Sequence, residues 1–164
     1  MTTSDHGFTH LDDAGAARMV DVSAKDVTVR EATASGRVLV SPEVVALLRG
    51  GGLPKGDALA VARIAGIQAA KRTPDLVPLC HPIAIHGVSV DLQVGGDSVA
   101  ITATVRTADR TGVEMEALTC VAVAGLALVD MVKAVDPAAV ISEVRVERKS
   151  GGKTGEWRRP GAAT

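Results

Sequence analysis

Pro78-Leu79-Cys80-His81-Pro82 sets a thiol and an imidazole between two prolines. Each proline restricts the backbone beside it, so the histidine is presented by a stiff loop, which suits a group that must meet a substrate. Read as structure alone, the same loop is a rigid turn whose histidine hydrogen-bonds locally. A zinc site is not expected, because Cys80, His81 and His86 lack ligand spacing and no second Cys/His pair exists.

Four further clusters carry charge. Gly50-Gly51-Gly52-Leu53-Pro54-Lys55-Gly56-Asp57 places Lys55 just before a helix start, where free N–H groups and the helix dipole favour an anion. Neighbouring cations or burial there would lower the lysine pKa toward proton transfer near neutrality; the plain alternative is an exposed loop lysine. Thr111 and Glu114 have capping-box spacing, which explains Glu114. Glu116 is not needed for a cap and precedes an uncharged stretch, so it is the more suspicious carboxylate. Asp130 and Lys133, three apart, share a helix face and can pair, either at the helix's exit to the surface or in a cleft. Lys149-Ser150-Gly151-Gly152-Lys153-Thr154-Gly155 is not a P-loop, since Glu147 stands at the first glycine position and no helix follows. It is a doubly basic segment able to wrap polyphosphate or to stay solvated. Asp21 to Lys25 with Arg30 makes a comparable polar entry to the first strand. Several cations, one stiffly held histidine, two carboxylates and no nucleophile–base pair fit acid–base work on a phosphorylated small molecule better than acyl transfer or redox chemistry.

Composition narrows the classes. The 164 residues are 46% hydrophobic and 23% charged, with net charge −1. A single folded domain follows, with no bulk attraction to nucleic acid or anionic membrane. Aromatics are only 1%, Phe8 and Trp157, so the core must be Ala, Val, Leu and Ile, and burial against copies of the chain would add much to so small a domain. Cys80 and Cys120 make no disulfide framework. The polar, acidic start lacks signal-peptide form, and the uncharged run Ala117 to Val129 falls short of the ~20 residues of a membrane span. A cytoplasmic protein is expected.

The elements that must hold these groups can be read from pattern. A strand is predicted over 27–40, interrupted at Ser35-Gly36. Ser41-Pro42-Glu43 starts a short helix that Gly50-Gly51-Gly52 stops. A second helix runs from the cap Asp57 to about Arg72, ended by Thr73-Pro74. Strands over 85–94 and 98–107 meet at a Gly95-Gly96-Asp97 hairpin. The longest helix runs from Thr111 to about Ala134, apolar on every side and so buried all round; a last strand covers 140–148. The order predicts an α+β domain, an antiparallel four-stranded sheet with helices packed on one face, in the manner of a split βαβ repeat. The chain is one domain over 1–164, with 1–17 and 156–164 as flexible tails.

The strings MVDVSAKDVTVREA, KGDALAVARIAGIQAAKRTPDLVPLCHPI, TGVEMEALT, LVDMVKAVD and KSGGKTG resemble, in order and spacing, the MoaC family of cyclic pyranopterin monophosphate synthases. The likeness covers about Met19 to Gly155. It implies a ferredoxin-like subunit in a homohexamer, a trimer of dimers, with sites at the dimer interface. The implied substrate is 3′,8-cyclo-7,8-dihydro-GTP from a radical SAM partner enzyme, and the implied reaction rebuilds the purine as a pyranopterin and closes a cyclic phosphate with loss of diphosphate. No cofactor is implied, though Mg²⁺ on the triphosphate is allowed. By the same resemblance Lys55 and Lys133 are the catalytic lysines and Asp130 orients Lys133. Leu79, Cys80 and His81 contact the nucleotide, as do Met115 and Glu116, while Arg30, Arg72 and Lys149 supply phosphate or interface charge. Two other readings remain at this stage: a non-catalytic nucleotide-binding module, and a metal-dependent hydrolase using Cys80, His81 and Glu116.

Overall fold

The computed structural model describes residues 7–53 and 57–161. Strand β1 (Thr28–Leu39) is the centre of the sheet. Its inward side chains Ala32, Ala34 and Val38 are almost wholly buried, while Glu31, Ser35 and Arg37 look the other way, the period-2 alternation of a sheet packed on one face. Its pairing shifts register at Thr33/Ala34 and Ser35/Arg37, so the predicted interruption is a bulge within one strand. Helix α1 (Pro42–Gly50) begins where the Ser41 hydroxyl accepts from the Val44 N–H at 3.3 Å. Helix α2 (Ala58–Ala70) begins where the Asp57 carboxylate accepts from the Ala60 N–H at 3.0 Å.

Thr73-Pro74 does end α2, but it also opens a further turn, α3 (Thr73–Leu76), with proline in the first turn where its missing N–H costs nothing. Strands β2 (Gly87–Val94) and β3 (Ser98–Asp109) form the expected hairpin, closed by Gly95 N–H donating to the Ser98 carbonyl at 2.7 Å. Helix α4 (Glu114–Val132) is followed by β4 (Val140–Ser150).

The sheet has five strands, not four: Trp157 and Arg158 form β5 (Trp157–Arg158), paired antiparallel with Lys149 and Arg148. Backbone hydrogen bonding from Arg159 N–H to the Glu147 carbonyl (2.8 Å) and the Arg159 guanidinium over the Trp157 ring hold this segment to the edge. No alternating pattern precedes it, so it carries no strand signal of its own. The order is β2-β3-β1-β4-β5, all antiparallel.

Helix α4 lies on β1, β3 and β4, and α2 packs against α4 and β2. A Cβ on Gly66 would come within 2.9 Å of the Cys120 carbonyl oxygen and 3.1 Å of the Ala124 methyl, so the two helices meet at backbone distance and only glycine fits. Leu128, Val121, Val132, Val38, Val99, Ile101 and Val105 make the core, each side chain contributing about 1.5–3 kcal/mol on burial. Helix α4 is long and apolar enough to cross a membrane by length and composition alone, and 56% of its 18-residue apolar window is buried. The expectation that it is buried all round does not hold within one chain: Leu126 is 59% exposed and Ala122 and Val123 are half-buried, because the sheet and α2 cover only part of the helix circumference. On the outermost strand, Arg63 Nε donates to the Val90 carbonyl at 3.1 Å and Arg49 donates to those of Val94 and Gly95 at 3.3 and 3.2 Å.

Candidate active site

The first turn of α4 and the Pro78–Pro82 loop converge on a cavity of about 350 Å³. Leu79, Cys80 and His81 form one wall, and Met115, Glu116, Glu114 and Gly112 another. The outer wall comes from the N-terminal segment: Thr9, His10, Val20, Val22 and Lys25. Of these, the sequence analysis noted only the Asp21–Lys25 run and gave it no role. The signal available was a polar run just before a strand, which a solvated leader produces equally well.

His81 is fixed by the chain rather than by a side chain. Its Nε2 lies 2.5 Å from the Val20 carbonyl oxygen. A carbonyl can only accept, so Nε2 carries the hydrogen and donates it in this bond. The loop is braced in turn by the Cys80 N–H on the Val77 carbonyl at 3.0 Å.

Glu116 is 3% exposed. Burial pushes its carboxyl up to about 7; its own backbone N–H opposes this and the Glu114 charge adds to it. The group is therefore shared between acid and carboxylate at neutral pH, suited to both giving and taking a proton. Burial, with a smaller contribution from the Glu116 charge, raises the Cys80 thiol, so Cys80 faces the cavity as a neutral SH and not as a thiolate nucleophile.

The capping box is absent. Val113 occupies the cap position with no side-chain hydrogen bond, and the Glu114 carboxylate accepts from the Lys149 ammonium at 2.8 Å. A Cβ on Gly112 would overlap the Glu114 carboxylate, so glycine is what lets that ion pair fold back across the helix start. The pair borders a second cavity of about 160 Å³, lined by Arg30, Glu31, Lys149, Ser150 and Gly151 and sharing Gly112 and Glu114 with the first. Arg30 and Lys149 thus lie next to the cavity that Leu79–His81 and Met115–Glu116 line. Arg72 does not: it is exposed at the turn between α2 and α3 and lines neither cavity.

Asp130 and Lys133 pair at 2.6 Å, each side chain 57% exposed. They close the far end of α4, about 25 Å from Glu116 at 1.5 Å rise per residue. Helix α2 leaves the Gly66–Cys120 contact toward Leu79–His81 at the start of α4, so it runs antiparallel to α4 and its cap Asp57 lies toward the Asp130 end. Lys55 itself lies outside the described residues. Within one chain, the Leu79–His81 loop and Lys133 cannot touch the same small molecule. Among the described residues no three His, Cys, Asp or Glu side chains converge as a metal site would need.

An α+β chain with a buried acid and a stiff His loop beside two cationic side chains has the groups that proton chemistry on a phosphorylated small molecule would use. Comparison with known proteins gives the family. The profile of the MoaC family matches residues 19–152. A cyclic pyranopterin monophosphate synthase of Streptomyces coelicolor is 73% identical over 93% of this chain and 89% of its own length. One from a Nocardioides species is 69% identical over 98% of this chain and its own full length. Cyclic pyranopterin monophosphate synthase 2 of Mycobacterium bovis is 60% identical over 93% and 91%. The chain belongs to the MoaC family.

Proposed function

We propose that this protein makes cyclic pyranopterin monophosphate in molybdenum cofactor biosynthesis, acting on 3′,8-cyclo-7,8-dihydro-GTP and releasing diphosphate as a phosphorus–oxygen lyase. The observation that carries the reading is the meeting of Leu79–His81 with Met115–Glu116 around one cavity, in a chain this similar to relatives bearing that synthase's name. The cavity takes the ring system. His81 offers a fixed tautomer, Met115 an apolar surface, and Glu116 a proton that moves near neutrality.

The lysine half of the site comes from a second copy. The separation of about 25 Å between Glu116 and Lys133 along α4 supports a Lys133 amine reaching the ring from another copy, and the exposed Val61, Ile64 and Leu126 on α2 and α4 give copies an apolar surface to share. We read the assembly as a homohexamer, a trimer of dimers, with each site at a dimer interface. Lys133 is the general acid–base group, oriented by Asp130, and Lys55 is a second proton carrier or a phosphate clamp. The ferredoxin-like description of the subunit rests on the order β2-β3-β1-β4 with crossovers through α2 and α4. The protein works in the cytoplasm without a resident cofactor, nucleic acid or membrane, with Mg²⁺ entering at most on the triphosphate.

Incubation with the cyclised nucleotide, followed by mass analysis and diphosphate assay, tests the reading. Turnover should fall at least a hundredfold in Lys55→Ala and Lys133→Ala while the assembly persists. Normal turnover in either variant would sink the lysine mechanism, and no diphosphate from the unaltered protein would sink the function.

A further inference from the structure

Most of the polar groups around the two cavities are anchored to main chain. His81 is bonded to the Val20 carbonyl, and Arg30 Nε donates to the Asp109 carbonyl at 3.0 Å. Arg110 Nε donates to the Lys25 carbonyl at 2.9 Å, which ties the outer wall to the turn after β3. Lys149 is held differently. Its ammonium meets another side chain, the Glu114 carboxylate, at 2.8 Å, and both side chains are partly exposed. Two long side chains that hold each other keep much of their rotamer freedom. Such a pair stays in one place only where packing limits it.

The packing comes from β5. Trp157 stands directly opposite Lys149 in the antiparallel ladder, so both side chains leave the sheet on one face, with Cβ atoms roughly 5 Å apart. That face is the one α4 covers, because Lys149 also stands opposite the buried Ala32 of β1. The register shift at Thr33/Ala34 sets Val146 opposite Ala34 and so turns it to the same face. Val146, Lys149, Glu114 and Trp157 line one hollow of about 280 Å³. The indole is itself braced. The Arg159 guanidinium lies 5.9 Å from the ring centroid, and Arg159 Nε donates to the Val146 carbonyl at 2.7 Å. Trp157 is 38% exposed and stands outside the core, so core packing does not account for an indole there.

Resting on the function proposed above, we infer that Trp157 is a positioning residue for the reaction: its ring confines the Lys149 side chain, and so keeps the Glu114–Lys149 bridge beside the wall that the two cavities share. The bulky ring occupies the side toward which the lysine stem would otherwise swing, and it keeps water from one flank of the bridge. The lysine then meets an incoming substrate from a prepared position, with less freedom left to lose on binding.

Steady-state kinetics with the cyclised nucleotide, on the full-length assembly, tests this as a double-mutant cycle. Trp157→Ala should raise KM about tenfold and leave kcat within about threefold, because a loosely placed cation is lost mainly from binding. Trp157→Phe keeps a ring beside the lysine stem and should bring KM back to within about twofold of the unaltered protein. In a Lys149→Gln background, Trp157→Ala should add nothing further. Additive losses in the cycle, or no rescue by phenylalanine, would overturn the inference. A second measurement needs no turnover: acetylation of amines by acetic anhydride, followed residue by residue by mass spectrometry. Trp157→Ala should label Lys149 several times faster while Lys25 and Lys71 keep their rates. A rise at all three lysines would show general loosening, and no rise at Lys149 would show that the ring does not confine it; either would overturn the inference. An unaltered protein that converts no nucleotide would sink the function instead, and the labelling would still decide whether Trp157 places Lys149.

Discussion

The two ends of α4 treat charge in opposite ways. At its start, Glu116 is withdrawn from water, raised to about 7, and set against Cys80 and His81 in a cavity. At its end, Asp130 and Lys133 form an ion pair that water reaches freely on both sides. An exposed i, i+3 pair adds at most ~0.5 kcal/mol to a helix, so stability does not explain the charges at that end. On the function proposed above, one end is a finished half-site and the other a half-site waiting for its complement. A single helix then serves two different reaction centres, one at each end, in an assembly of copies.

The largest effect that separates the two ends belongs to Lys133. Lys133→Ala should cut kcat at least a hundredfold while shifting the urea midpoint no more than an ordinary surface substitution does, about 0.5 kcal/mol or less. A parallel loss of stability would mean that the pair is structural and the contrast false. Mixing Lys133→Ala protein with Glu116→Gln protein sharpens it further. Each variant should be inactive alone, and subunit exchange should restore roughly a quarter of the wild-type sites if the ends meet between chains. No recovery on verified exchange would place both ends in one chain's chemistry.

Smaller, but measurable without substrate, is the pH dependence of folding. The Glu116 carboxyl is raised from 4.5 to about 7, so near neutrality the folded chain holds a proton that the unfolded chain has lost. Its contribution is complete below pH 4.5 and is lost as pH rises through 7. Denaturant titrations should show stability falling by up to about 3 kcal/mol across that window, with the Glu116→Gln variant flat by comparison. An equal slope in both proteins would show that Glu116 is not the buried acid described here.

The smallest expected effect is at the cavity's outer wall. His81→Phe removes the bond to the Val20 carbonyl, and limited proteolysis should then cut within residues 8–25 several times faster. Unchanged cleavage would mean that Arg110 alone holds the segment.

Much of this was legible in the residues. Ser41 and Asp57 announce their helices because a cap is a local event, and the Gly95-Gly96-Asp97 hairpin closes within a few residues. The Leu79–His81 loop and Glu116 were marked by stiffness and by misplaced polarity. What escaped has a common cause. Glu114 reads as a capping residue because Thr111 stands three before it, yet Lys149, thirty-five positions on, claims the carboxylate. The Val20–Lys25 wall exists only because His81 and Arg110 are folded against it. Trp157-Arg158 becomes a strand only because β4 offers an edge. Arg72, given phosphate or interface charge by the resemblance, lies in solvent at the turn after α2.

The guanidinium groups of Arg63 and Arg49 on the outermost strand have a consequence for how copies of this chain can associate. Carbonyl oxygens already engaged by arginine offer poor anchorage to a visiting strand, and the bulky cations obstruct its approach. Along the β2 rim another molecule's sheet is thereby discouraged from joining, which removes one of the two edges that an open-ended polymer would need.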